Sequence, residues 1–209
     1  MKKIIWNSIL TTLVATLLLC GVLLLSCACF FPATMMELSY SLGMDSSAMR
    51  YAERAYNRFE AAEYAAFAME IAADNGLYAD TERFAEDLLS CADFEAFARK
   101  QDVNYAQGGN ESNRSQTTYK QYVYVKLCLA QYRLGKGETA ADRAASSLKI
   151  GEFPQNNALA ALLLYALSDG DAAVVSAVSE KINAVEEGAL SAADAAYLSE
   201  MKRLASSFA

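Results

Sequence analysis

The chain has 209 residues, 54% of them apolar, with 18 basic and 25 acidic side chains and no histidine. The lack of histidine excludes Ser-His-Asp and Cys-His nucleophile systems and every His-ligated metal site, and a net charge of −7 makes nucleic-acid phosphates poor partners. Two prolines and ten glycines argue against both disorder and an all-β sandwich.

Ile4 to Phe31 carries no charge, and its polar exceptions are Asn7, Ser8, Thr11, Thr12 and Ser26. As a helix it would span about 42 Å, against a hydrocarbon core of about 30 Å. Residues 1–31 are therefore expected to hold a transmembrane helix, with Leu10 to Phe31 long enough to span and Trp6 at an interface. Lys2 and Lys3 precede it, and no basic residue follows before Arg50. The positive-inside bias predicts a single-pass cell-membrane protein, N-terminus cytoplasmic and the rest extracytoplasmic. Two cleaved alternatives stay open. Ser26-Cys27-Ala28 offers small residues for signal cleavage after Ala28. Leu24-Leu25-Ser26-Cys27 resembles a bacterial lipobox, which implies a lipid on Cys27. The apolar run continues through Cys29-Phe30-Phe31, which favours the uncleaved anchor.

Residues 32–45 are expected to form a connector, punctuated by Pro32 and Gly43, and 46–209 an extracytoplasmic helical domain. Asp45 is a candidate N-cap for a helix to Phe59, with Met49, Ala52, Tyr56 and Phe59 on its apolar face. A second helix, Glu60 to Ala73, ends at the turn Asp74-Asn75-Gly76. Asp80 is expected to cap a third, reaching Cys91 with Phe84, Leu88 and Leu89 inward, and a fourth runs from Ala92 to Lys100. Residues 103–117 read as a polar loop. Asn110 and Asn113 there fit the N-glycosylation pattern, a match expected to have no consequence in a bacterial-looking sequence. Thr118 to Leu134 is apolar nearly all round, so burial between neighbours is expected. Further helices follow over Glu138 to Ile150, Ala158 to Ser168, an Asp171-capped stretch to Ile182, and a Ser191-capped stretch to Ser206. The pattern is all-α, with about nine helices after the first segment and no strand.

Gly135 and Gly170 close successive hairpins 35 residues apart. Ala140 follows Gly135 at the interval of a small second-helix residue, and Ala65, Met69 and Ala72 give a small-large-small helix face, with Tyr56 as the aromatic of the preceding helix. Across 46–73 and 118–183 the chain resembles tetratricopeptide-repeat proteins. Val175 replaces the expected alanine, and the only Trp lies in the apolar segment. The resemblance implies an α-solenoid of antiparallel helix hairpins and a role as an interaction scaffold or assembly or chaperone-like factor, with a protein or peptide partner and no catalysis.

No cofactor, metal or small-molecule site is expected. Asp169-Gly170-Asp171 supplies too few oxygens for calcium, and Gly135-Lys136-Gly137 is no phosphate loop. The acids Glu60, Glu63, Asp80, Glu82, Glu86, Asp87, Glu186 and Glu187 read as solvated faces, with a carboxylate-dependent hydrolase as a rival. Cys91 and Cys128 read as core residues, a disulfide between them remaining open. Tyr119, Lys120 and Lys126 are the candidate partner-binding residues, because tyrosine buries area at low entropy cost beside a polar tip. A last rival is a membrane-complex subunit, packing through Cys20, Gly21, Ser26, Cys27 and Ala28.

Overall fold

A computed structural model describes residues 2–108 and 118–207, which form eleven α-helices, one short 3-10 turn and no strand. Asn110 and Asn113 lie outside the described residues. The chain divides into two units, Met1–Glu60 and Ala61–Ala209, a division different from the expected one at 31 and 45.

In the first unit, α1 (Lys2–Phe30) is apolar on every side, and its described leucines and valines are exposed. The side chains of Leu24, Cys27 and Ala28 lie outside the described residues. Among the described residues, no helix is long and apolar enough to cross a membrane.

The expected connector is largely a helix, α2 (Pro32–Ser41). Pro32 suits the first helical turn, where its missing N–H costs nothing. Met36 and Ser39 are buried where α2 packs on α3 (Asp45–Phe59). The buried face of α3 is Ala48, Ala52 and Ala55, all fully enclosed. Of the expected stripe only Ala52 belongs to it; Met49 and Tyr56 are half-buried and Phe59 is exposed. Small residues let two helix backbones approach, and the larger side chains move to the flanks. Asp45 sits in the first turn; Met44 holds the N-cap position without a side-chain bond.

The second unit runs α4 (Ala62–Asp74), α5 (Tyr78–Ser90), α6 (Phe94–Gly108), α7 (Tyr119–Arg133), α8 (Gly137–Ser146), α9 (Ala158–Asp169), α10 (Ala172–Asn183), the 3-10 turn Glu187–Ala189 and α11 (Ala192–Ser206). Thr118, Asn157, Asp171 and Ser191 each accept an N–H from the first turn of the helix they cap. Asp80 lies inside α5 and is not its cap. Helices pair as α4/α5, α7/α8 and α9/α10. Each pair builds on the one before: α7 packs on α5, α9 on α7 and α8, α10 on α8, and α11 closes against α10 and α9. The core holds Leu127, Phe153, Leu159, Leu162, Leu163, Ile182 and Leu198.

Four hairpins share one turn. Gly43, Gly76, Gly135 and Gly170 have φ of 68°, 67°, 77° and 72°, the left-handed conformation that glycine adopts without a Cβ penalty. After each, the next residue donates its N–H five residues back at 2.9 Å: Met44 to Ser39, Leu77 to Ala72, Lys136 to Gln131, Asp171 to Ala166. This is the Schellman closure of a helix end. Burial follows the same register. Seven residues before the glycine stand Met36, Met69, Cys128 and Leu163; four before, Ser39, Ala72, Gln131 and Ala166; five after, Ala48, Thr81, Ala140 and Val175. All twelve are buried. The glycines are 33 residues apart in the first two hairpins and 35 in the last two. Between Gly76 and Gly135, α6 and the residues after it lengthen the interval. The structure thus pairs α2 with α3 and α4 with α5, so Ala65, Met69 and Ala72 lie on the first helix of a hairpin, one helix out of step with the sequence expectation.

Candidate functional site

The first helices of the second unit, α4, α7 and α9, present a connected face. On α7, Tyr122, Lys126, Leu129 and Arg133 follow one another at four-, three- and four-residue steps and share one stripe. The stripe is tied to α4 by the Tyr122 hydroxyl, which donates to Glu70 Oε2 at 2.7 Å, and by Lys126, which faces Asp74 at 3.8 Å. Lys126 also stands 5.4 Å from the Tyr122 ring centroid. Toward α9, Arg133 donates to Asp169 Oδ2 at 2.7 Å and lies 5.6 Å from the Tyr132 ring and 5.8 Å from the Tyr165 ring. Leu164 and Tyr165 beside it are exposed. The face therefore grades from acidic on α4 through cationic and aromatic on α7 to apolar on α9. Cation–π contacts hold the cations without saturating their donors, and the half-exposed Arg133–Asp169 pair adds only about 0–1 kcal/mol to stability.

The three residues singled out by sequence separate. Tyr119 is buried, edge-on to Phe97 at 5.5 Å, and its backbone N–H donates to Asp102 Oδ1 at 2.6 Å. Lys120 donates to Glu95 at 2.7 Å, and this bond holds the Glu95 carboxyl below its ordinary value. Both residues fasten α6 to α7. Lys126 alone lies on the first-helix face. Leu129, Arg133, Leu164 and Tyr165 were not singled out; their signal was the stripe spacing around Gly135 and the doublet just before Gly170. The Cys27 side chain lies outside the described residues.

The second helices are laced by ion pairs. Glu82 pairs with Lys136 at 2.6 Å, Glu86 with Arg143 at 3.1 Å, and Asp142 with Lys181 at 2.7 Å. The Asp142 bond raises the Lys181 pKa. Burial raises the Tyr132 hydroxyl, and its bond to Asp169 raises it further.

A cleft of about 380 Å³ lies at the far end of α8 and α10, floored by Leu148, Leu159 and Val185. Glu152 and Glu186 stand on its rim, both exposed, and Glu152 faces Lys149 at 4.0 Å. Among the described residues, no group of acids and thiols is placed to hold a metal ion. Cys91 and Cys128 are not joined: Cys91 Sγ donates to the Asp87 carbonyl at 3.2 Å, and Cys128 is enclosed within the core. The chain matches no protein-family model, no curated protein and no solved structure.

Proposed function

We propose that the chain is a membrane-anchored, tetratricopeptide-like helical-repeat protein that binds a protein or peptide partner on the face of its first helices, as a scaffold or assembly factor without catalysis. One observation carries the reading: the same glycine turn and the same buried register recur in four hairpins. Repeats of this kind hold first helices side by side and leave their outer faces for elongated partners. Tyr122, Lys126, Arg133 and Tyr165 supply the aromatic and cationic groups enriched at binding hot spots.

The anchor is α1. The sequence carries no charge from Ile4 to Phe31, and α1 covers Lys2–Phe30. Lys2 and Lys3 at its start support a cytoplasmic N-terminus and an extracytoplasmic repeat region.

The test is affinity capture by the tagged full chain from detergent-solubilised membranes. Arg133→Glu with Tyr165→Ala should lose the partner, while a control change on the second helices, Glu86→Gln, should keep it. Retention by the double variant, with loss when residues 1–31 are exchanged for an unrelated anchor, would replace this reading with the membrane-complex subunit.

A further inference from the structure

Every ion pair among the described residues falls within Ala61–Ala209. In the first unit, Arg50, Arg54 and Arg58 are exposed, and among the described residues none of them belongs to these ion pairs. Their four-residue spacing puts them along one line of α3, away from the buried Ala48, Ala52 and Ala55, with the half-buried Glu53 flanking the line three residues from Arg50. The line starts at the end of α1. Arg58 Nη1 donates to the Phe30 carbonyl at 2.9 Å, one of the terminal carbonyls that an α-helix leaves without an internal partner. Phe30, Phe31 and Phe59 at this junction are exposed, as are Leu38, Tyr40 and Leu42 farther along the hairpin. Arg54 lies 5.5 Å from the Tyr51 ring and Arg58 5.4 Å from the Phe59 ring.

We infer that Arg50, Arg54 and Arg58 bind the phosphate oxyanions of anionic phospholipids and seat the α2–α3 hairpin on the membrane surface where α1 ends. This rests on the reading of α1 as an anchor. Guanidinium matches phosphate with parallel N–H donors and is weakly hydrated, so it suits this contact better than ammonium. The exposed aromatic and aliphatic residues beside it have the amphipathic chemistry of an interface. The α2–α3 region also carries Glu37, Asp45, Glu53 and Glu60, so the contact is made by the aligned guanidinium groups at short range and not by the net charge of the hairpin. Covalent attachment to α1 keeps headgroups near the stripe at high effective concentration, and three charges are then enough.

The experiment reconstitutes the full chain in vesicles of phosphatidylcholine alone and of phosphatidylcholine mixed with phosphatidylglycerol, then follows amide hydrogen exchange over residues 45–59. Exchange should be slower in the mixed vesicles. Arg50→Gln, Arg54→Gln and Arg58→Gln together should remove that slowing, by roughly fivefold per arginine, and the three Arg→Lys changes should restore part of it. Matching exchange of the Gln variant and the wild type in phosphatidylcholine shows that the hairpin is still folded. Equal exchange of the wild type in both vesicles overturns the inference, as does unchanged slowing in the Gln variant. Slowing by inorganic phosphate in phosphatidylcholine vesicles overturns the lipid as its source. Release of the chain from both vesicles by alkaline wash overturns the anchor and this inference together, whereas retention with equal exchange overturns this inference alone.

Discussion

Cys128 sits in the middle of α7, where burial pushes its thiol up to about 12. The thiolate is the reactive form, so at neutral pH iodoacetamide should leave Cys128 unmodified until the protein unfolds. Peptide mass mapping with and without denaturant checks this; labelling of Cys128 in the native protein would contradict the packing of α7. Gly137 is the other residue with no slack. A Cβ there would run into Val174 of α10, and overpacking of this kind costs about 1–3 kcal/mol. Gly137→Ala should lower stability by that amount in urea unfolding, although alanine is the better helix former. Tyr119 shows why exposure was not legible at this scale. A tyrosine's spacing places it on a helix, but whether it meets Phe97 or solvent depends on α6, which is remote in sequence and joined to α7 through residues of no periodic pattern.

Among the elements, helix ends were the most legible. Asp171 and Ser191 cap where expected, because an N-cap bond spans only three residues. Pairing was less legible: α3 and α4 are adjacent and amphipathic, and only the Met36 and Ser39 contacts show that α3 belongs with α2. Between α5 and its successors, two acids look alike in sequence and differ in weight. Glu82 accepts from Lys136 at 2.6 Å and from the buried Gln131 amide at 3.1 Å, whose Oε1 has no partner. Glu86 meets Arg143 with both side chains exposed. Glu82→Ala should cost about 1–3 kcal/mol, the penalty for an unsatisfied buried polar group, and Glu86→Ala about 0–1 kcal/mol. Burial alone would raise the Glu82 carboxyl, but the bonds from Lys136 and Gln131 hold it below its ordinary 4.5. Its stabilisation is therefore complete above about pH 4.5 and declines as pH falls through the lower folded value. Urea midpoints of wild type and Glu82→Gln should converge on acidification below that point; a gap that widens would refute the assignment.

For the whole molecule, the proposed membrane anchor α1 is the feature to test. If α1 is the anchor, Cys27→Ser should stay in the pellet after alkaline carbonate washing, with unchanged intact mass apart from the substitution. Release of the variant, or a wild-type mass showing acyl chains on a product starting at Cys27, would make the lipid the anchor instead. The acidic balance and the absence of histidine bear on the same scale: they removed whole classes of chemistry from consideration.

By itself, the sequence determined the all-helical class, most helix positions, the caps Asp171 and Ser191 and the glycine turns at 76, 135 and 170. These depend on periodicity and on hydrogen bonds between residues a few positions apart. Tertiary structure alone decided that residues 32–41 form the partner helix of α3, that Tyr119 is core while Arg133 and Tyr165 share a surface, and that Arg58 reaches the end of α1. Those facts join residues that are distant along the chain. They depend on which helices approach closely, and small side chains such as Ala48, Ala52 and Ala55 permit that approach without naming the partner.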